Sequence, residues 1–288
     1  MLESPMSRPE SGNQDVQARG RYALGLWLTG ITVLALGLFI LAMPYIRQAK
    51  SVSWVRAQGG HVDTEATWLT TRLPNAAKTW LSARGWLEKV EHVTSVEFGY
   101  TKVGDTGLEH LRGLSNLRLL SFHSCQLTDV DLKHLEGLTI LQGLSLTDNT
   151  QVTDAGLVHL KGMTFLQVLS LDGTRVSDAG LVHLKGMTFM QSLSLKYTQV
   201  GDAGLEHLKG MPILQQLDIS RTNVSDVGLE HLKGMSSLQL IFFGRSGEFQ
   251  HGEQTFQLWD IGRITQAGED KLKAALPSLR IIEIPIED

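Results

Sequence analysis

The chain has 288 residues and a net charge of −4, with charges of both signs interspersed along it. That balance excludes general nucleic-acid binding, which needs clustered Lys and Arg on the phosphates. Its single cysteine, Cys125, excludes an intrachain disulfide and a thiolate zinc cluster.

Residues 1–21 are polar, rich in Ser, Pro, Gly and Gln, and predict a disordered tail. From Tyr22 to Ile46 no residue is charged. A bilayer's hydrocarbon core requires about 20 apolar residues in a helix, so residues 22–46 predict one transmembrane helix in contact with lipid. Arg19 and Arg21 bound the run on one side, Arg47 and Lys50 on the other, and Tyr22, Trp27 and Tyr45 sit near its ends, where amphipathic rings prefer the interface. The run exceeds the roughly 7–15 residues of a signal-peptide core and no A-x-A site follows, so an uncleaved anchor is expected. Arg8, Arg19 and Arg21 balance Arg47, Lys50 and Arg56, so the positive-inside rule does not decide the orientation. The expectation adopted is a single-pass membrane protein with its C-terminal part on the extracytoplasmic side.

Residues 47–92 read as a juxtamembrane helix and N-terminal cap. Val52 to Gln58 is amphipathic, Gly59 and Gly60 break it, and His61 to Thr67 can form a short strand. Pro74 to Trp86 predicts a helix presenting Trp80, Leu81 and Trp86.

Residues 93–246 repeat themselves. The motif D-x-G-L-x-x-L aligns Asp105, Asp154, Asp178, Asp202 and Asp226, and Asp129 joins them with Asp131 in the glycine place. Leu108, Leu132, Leu157, Leu181, Leu205 and Leu229 follow at steps of 24, 25, 24, 24 and 24 residues, the longer step falling in the turn around Thr147 to Thr150. In VTDAGLVHLKG, Thr153 is a good N-cap, and Val152 with Leu157 occupies the places of a hydrophobic staple. Leu157 and Leu160 share a face, Lys161 suits the helix C-terminus, and Gly162 can close the helix left-handed. The helix has about two turns, too few to stand alone. LQVLSL then alternates apolar and polar, a strand with Leu169 and Leu171 inward and Ser170 outward. Each unit has one apolar edge that only a neighbour can cover, so the units must stack.

On these residues, LSLDGTRVSDAGLVHLKGMTFLQ resembles a leucine-rich repeat. The array is similar to those of bacterial membrane-anchored repeat proteins and, more distantly, to the cysteine-containing repeats of F-box proteins. The resemblance implies an α/β right-handed solenoid, with parallel strands on the concave face and short helices on the convex face. It also implies that Thr101, Cys125, Thr150, Thr174, Thr198, Thr222 and Ser246 take the small polar place that satisfies backbone groups of adjoining turns.

Residues 247–263 break the rhythm and read as an insertion loop holding Phe249, Phe256 and Trp259. Residues 264–288 resume it as the last repeat and C-terminal cap, with Gly268 and Leu272 in repeat places and a strand from Leu279 to Ile284.

His110, His134, His159, His183, His207 and His231 form one column; duplication of the unit is the expected account, the alternatives being a ladder that titrates near pH 6 and, behind it, a divalent metal between adjacent rings. One Asp per repeat falls short of the six to eight oxygens of a calcium site, so neither metal nor cofactor is expected. No nucleophile elbow, zincin, P-loop or dinucleotide motif occurs, and identical units repeated do not converge unlike groups once, so no enzyme is expected. Outward strand centres run Glu97, Ser121, Ser145, Ser170, Ser194, Asp218, Phe242 and Glu283, and two residues on lie Gly99, His123, Thr147, Asp172, Lys196 and Ser220. Hot spots favour aromatic and Arg side chains. The expected binding residues are therefore Asp172, Lys196, Asp218, Arg221, Phe242 and Arg245, with Trp259 in the insertion. The function expected is a membrane-anchored scaffold for a protein partner or a surface polymer. The alternatives are a purely structural envelope role and, behind it, a ubiquitin-ligase-type adaptor.

Overall fold

A computed structural model describes residues 48, 50–65, 79, 92–103, 108–244, 248–251, 254–257 and 264–283. They fall in the second of two compact units, Arg47–Asp288. The tail 1–21, the expected span 22–46 and all of Pro74–Trp86 except Thr79 lie outside the described residues. Among the described residues no helix is long and apolar enough to cross a membrane.

After a helix over residues 50–57, the chain forms β1 (His61–Glu65), antiparallel to β2 (His92–Gly99). Parallel strands then add one per repeat: β3 (Leu119–His123), β4 (Gly143–Ser145), β5 (Val168–Ser170), β6 (Ser192–Ser194), β7 (Gln216–Asp218) and β8 (Leu240–Phe243). β9 (Glu248–His251) and β10 (Gln254–Gln257) pair with each other as a hairpin, and β11 (Arg280–Glu283) closes the nine-stranded sheet beside β8. The insertion is thus not a plain loop. An antiparallel β1 covers the edge that a bare first repeat would offer to another chain.

The repeat leucines join one apolar cluster running from Val52 to Leu279. In the 152–171 unit, Val152, Leu157, Leu160, Leu166 and Leu171 are fully buried. Each such side chain contributes roughly 2 kcal/mol by leaving water. Thr153 caps the helix through Ala155 N at 3.3 Å; Asp154–Leu157 is α-helical and Val158–Leu160 tightens to a 3₁₀ turn. The tightening has a packing reason, since three residues per turn superposes Leu160 on Leu157 and sends both inward. Gly162 does not take a left-handed conformation, unlike its equivalents Gly137 (φ 94°) and Gly186 (φ 95°). Lys161 instead continues helical at φ −50°, ψ −32°, whereas Lys185 turns out at ψ 130°.

The aspartate column ties the stack. Asp129 accepts from Thr153 N at 2.7 Å and Thr153 Oγ1 at 2.6 Å, across 24 residues. Asp154 takes Ser177 N and Oγ at 2.7 and 2.6 Å, and Asp202 takes Ser225 N and Oγ at 2.6 and 2.7 Å and Gly228 N at 3.0 Å. Asp178 takes only Gly201 N, at 2.6 Å, since glycine brings no hydroxyl. Asp226 reaches Thr265 N and Oγ1 at 2.7 and 2.6 Å over 39 residues, so the insertion leaves the stack in register. The motif glycine follows from the same contact: a Cβ on Gly156, Gly204 or Gly228 would stand 2.5 Å from the preceding repeat's aspartate oxygen. Where Asp131 replaces glycine, its own carboxylate accepts from Thr128 N at 2.7 Å and Oγ1 at 2.8 Å.

The small polar place needs one correction. Asn149, not Thr150, occupies it: Asn149 is fully buried and Thr150 exposed, so the extra residue follows Asn149. Asn149 Oδ1 accepts from Cys125 N and Leu127 N, both at 3.0 Å, and Nδ2 donates to Phe122, Leu146 and Thr147 carbonyls at 2.9–3.1 Å. The threonines act within their own turns, Thr174, Thr198 and Thr222 each donating to the carbonyl three residues back at 2.6 Å. Burial pushes the Cys125 thiol's pKa up, and its Sγ lies 3.4 Å from His123 O and 3.5 Å from Phe98 O. A protonated, fully buried thiol is a packing group, not a nucleophile.

Candidate functional site

Strand register aligns two outward columns. The first reads Ser95, Leu119, Gly143, Val168, Ser192, Gln216, Leu240 and Arg280. The second reads Glu97, Ser121, Ser145, Ser170, Ser194, Asp218, Phe242 and Ile282. The expected terminal member Glu283 is therefore displaced: it pairs with the inward Phe243, because the insertion hid the last strand's register. Ile282 stands there instead, 38 % exposed.

Gly143 interrupts the first column between Leu119 and Val168, each about half exposed, and Leu119 leans into the gap, its Cδ2 2.7 Å from where a Cβ on Gly143 would stand, so the notch there is partly filled. A depression of about 340 Å³ follows, bordered by those three residues and by Glu97, Ser121, Ser145 and Ser170. Sequence reading missed it. The signal was a glycine at a strand position where most other repeats carry a side chain.

Beyond the notch the face turns polar and then charged. Ser145 Oγ and Thr147 Oγ1 are 2.9 Å apart, Thr147 Oγ1 and Ser170 Oγ 3.0 Å, a chain of hydroxyls holding one another. Asp172 accepts from Ser194 Oγ and from Lys196 N at 3.1 Å. Burial raises the Asp172 pKa, and the charge of Asp218 raises it further, outweighing the hydrogen bonds. Asp218 accepts from Ser220 N at 2.8 Å. Neither carboxylate has a cation partner among the described residues. Lys196 Nζ turns instead to the Tyr197 ring, 5.2 Å from its centroid, and Arg221 Cζ lies 5.8 Å from the same ring.

Tyr197 and Arg221 belong to a further column: Tyr100, Ser124, Asp148, Gly173, Tyr197 and Arg221 all have φ between 52° and 66°. Each of these six repeats leaves its strand through a left-handed residue, and for all but Gly173 this costs roughly 1 kcal/mol. The conformation throws Tyr100 and Tyr197 outward, 80 % and 55 % exposed. Tyr100 OH meets His123 Nε2 at 2.9 Å, and that nitrogen lies 3.7 Å from Asp148 Oδ2.

Of the expected binding residues, the structure brings Asp172, Lys196, Asp218, Arg221 and Phe242 onto one end of the sheet face, half-buried; Arg245 and Trp259 lie outside the described residues. The histidine column is half-buried; His159 Nδ1 lies 2.5 Å from Glu136 Oε1, and His183 Nδ1 is buried without a partner. Among the described residues no three His, Cys, Asp or Glu stand together as metal ligands.

A family model described as a leucine-rich repeat matches residues 186–209 and 211–233. Among solved structures the chain is similar to internalin C2 of Listeria monocytogenes, at 22 % identity and TM-score 0.49, over 73 % of this chain and 82 % of that one. It is also similar to the internalin InlF of the same species, at 22 % identity and TM-score 0.43, over 61 % of this chain and 50 % of that one. No curated protein matches the sequence.

Proposed function

We propose that this leucine-rich-repeat protein is a membrane-anchored scaffold, without catalytic activity, that holds a protein partner against the exposed face of its sheet. Stacked repeats make a long rigid surface, the usual instrument of such arrays. The observation that carries the reading is the pair of carboxylates Asp172 and Asp218, held by hydrogen bonds and without a cation partner among the described residues. A Lys or Arg side chain of the partner supplies the missing charge. An apolar side chain beside it rests in the depression bordered by Leu119, Gly143 and Val168, and Tyr197, Arg221 and Phe242 extend the contact. The charge-free run 22–46 supports the anchor; the extracytoplasmic placing of the repeats is part of the same proposal and does not follow from the run.

The test is selection of short displayed peptides on the full chain in detergent. Enriched peptides are expected to pair Lys or Arg with a large aliphatic residue, and D172N/D218N is expected to abolish their enrichment. Enrichment unaffected by that double variant overturns the proposed site; no enrichment at all favours a structural role. Alkaline extraction and protease protection of intact cells test the anchor and its sidedness.

A further inference from the structure

Each short helix is followed by a turn before the next strand, and in four successive repeats that turn exposes a large apolar side chain. Ile140, Phe165, Phe189 and Ile213 are 46 %, 52 %, 48 % and 36 % exposed. The two rings stack, centroids 5.6 Å apart at 23°. Four residues before the last three stand Lys161, Lys185 and Lys209, all exposed and without an ion pair among the described residues. The acid in that position, Glu136, is engaged by His159 at 2.5 Å, and the next lysine along, Lys233, by Glu230 at 2.5 Å. The two central repeats also carry Val158 and Val182, 42 % and 39 % exposed, where the repeats on either side have the charged Lys133 and Glu206.

We infer that this strip rests on an anionic lipid surface, with the phenylalanines in the bilayer interface and the lysines on the headgroups. Three observations select lipid. The lysines' charge is unanswered among the described residues, and anionic headgroups answer it. The apolar side chains form a ridge and not a pocket, and a fluid interface accepts protruding rings without a complementary shape. Finally, the charge-free run ends at Ile46, and the helix over residues 50–57 packs on the first repeats, Trp54 lying 5.7 Å from the Phe98 ring and 5.5 Å from that of His110. This last point rests on the anchor proposed above; the first two do not.

The experiment uses the full chain carrying Thr164→Cys, labelled with an environment-sensitive fluorophore; Cys125 is fully buried and stays unlabelled. The chain is reconstituted in vesicles of phosphatidylcholine alone or of phosphatidylcholine and phosphatidylglycerol in equal parts. A blue shift and quenching by a lipid-borne quencher are expected only with phosphatidylglycerol, reversed by salt. K161Q/K185Q/K209Q is expected to weaken the anionic dependence about a hundredfold. F165S/F189S is expected to remove the blue shift while leaving a salt-sensitive association. An unchanged spectrum in both vesicles, with the chain floating in both, overturns the strip. So does a shift that follows protein density and not phosphatidylglycerol, which marks contact between copies. Failure of the anchor reads separately, as no flotation with phosphatidylcholine alone; binding to added anionic vesicles then still tests the strip.

Discussion

The two sides of each repeat are built by opposite rules. On the side where the chain enters the helix, one contact recurs: an aspartate of one repeat accepts the amide of the next repeat's cap residue, in five successive pairs from Asp129–Thr153 to Asp226–Thr265. On the sheet face the same repeats diverge, from Ser121, Ser145, Ser170 and Ser194 to Asp218 and Phe242 in one column. Stacking demands the same bond at every interface, because each unit is stable only against its neighbours. Recognition demands the reverse, since a partner distinguishes positions only where they differ. On the proposed function, binding belongs where the repeat stops repeating.

The strongest way to break this comparison is to attack the clamp sterically. Gly204→Val places a Cβ 2.5 Å from Asp178 Oδ1 and 3.0 Å from Val200 Cγ1, so either the clamp opens or the repeats separate. A loss of about 3 kcal/mol is expected, overpacking and a broken hydrogen bond acting together. Urea unfolding followed by circular dichroism measures it, and a loss below about 1 kcal/mol would show the clamp to be dispensable.

Removing the carboxylate itself should cost less. Asp202→Ala leaves Ser225 N, Ser225 Oγ and Gly228 N without their acceptor, worth about 2 kcal/mol because the site is half-buried and water can replace part of it. Asp202→Asn, which keeps an acceptor oxygen, should recover about half of that loss. Equal losses in the two variants would mean that charge, not acceptor geometry, holds the repeats.

On the sheet face the effect moves from stability toward its pH dependence. The folded Asp172 carboxyl keeps its proton to higher pH than the unfolded one, so the folded state binds more protons across that window. Stability contributed by this group therefore falls as pH rises from the ordinary carboxylate range through the raised value. Asp172→Asn is expected to flatten that part of the profile and to leave neutral-pH stability unchanged or slightly higher. A steeper acid-to-neutral decline in urea midpoints would contradict the carboxylate, without a cation partner among the described residues, on which the proposed binding site depends.

Much of the fold was legible because the leucine period is a direct record of stacking: a residue buried in one unit is buried in all. The clamp was not, since Asp154 read alone is a helix-terminal charge and its partner Ser177 is 23 residues away. Asn149 was mistaken for Thr150 because both can hydrogen-bond, and only burial tells which of two adjacent residues faces the core. The last strand slipped by one residue, Glu283 for Ile282, because the insertion removed the count that fixed every other register. The notch over Gly143 escaped for a different reason. A missing side chain shows only against its flanking Leu119 and Val168, which are neighbours in the sheet and not in the sequence.

The left-handed column joins the two sides of the repeat and permits the smallest and most discriminating test. Ser124 sits at φ 52° with its amide bonded to Thr147 O at 3.0 Å, a bond that any residue makes. Glycine there relieves roughly 1 kcal/mol of steric cost but adds about 0.5 kcal/mol of unfolded-state entropy, so Ser124→Gly should stabilise by only about 0.5 kcal/mol. Tyr197→Gly receives the same relief and also gives up the ring beside Lys196 and Arg221, a contact worth about 0.5 kcal/mol at an exposed site, so its net effect on stability should be close to zero. If binding selects what occupies this column, Tyr197→Gly weakens peptide capture and Ser124→Gly does not. Equal capture by the two variants would return the column to pure chain geometry and remove Tyr197 from the site.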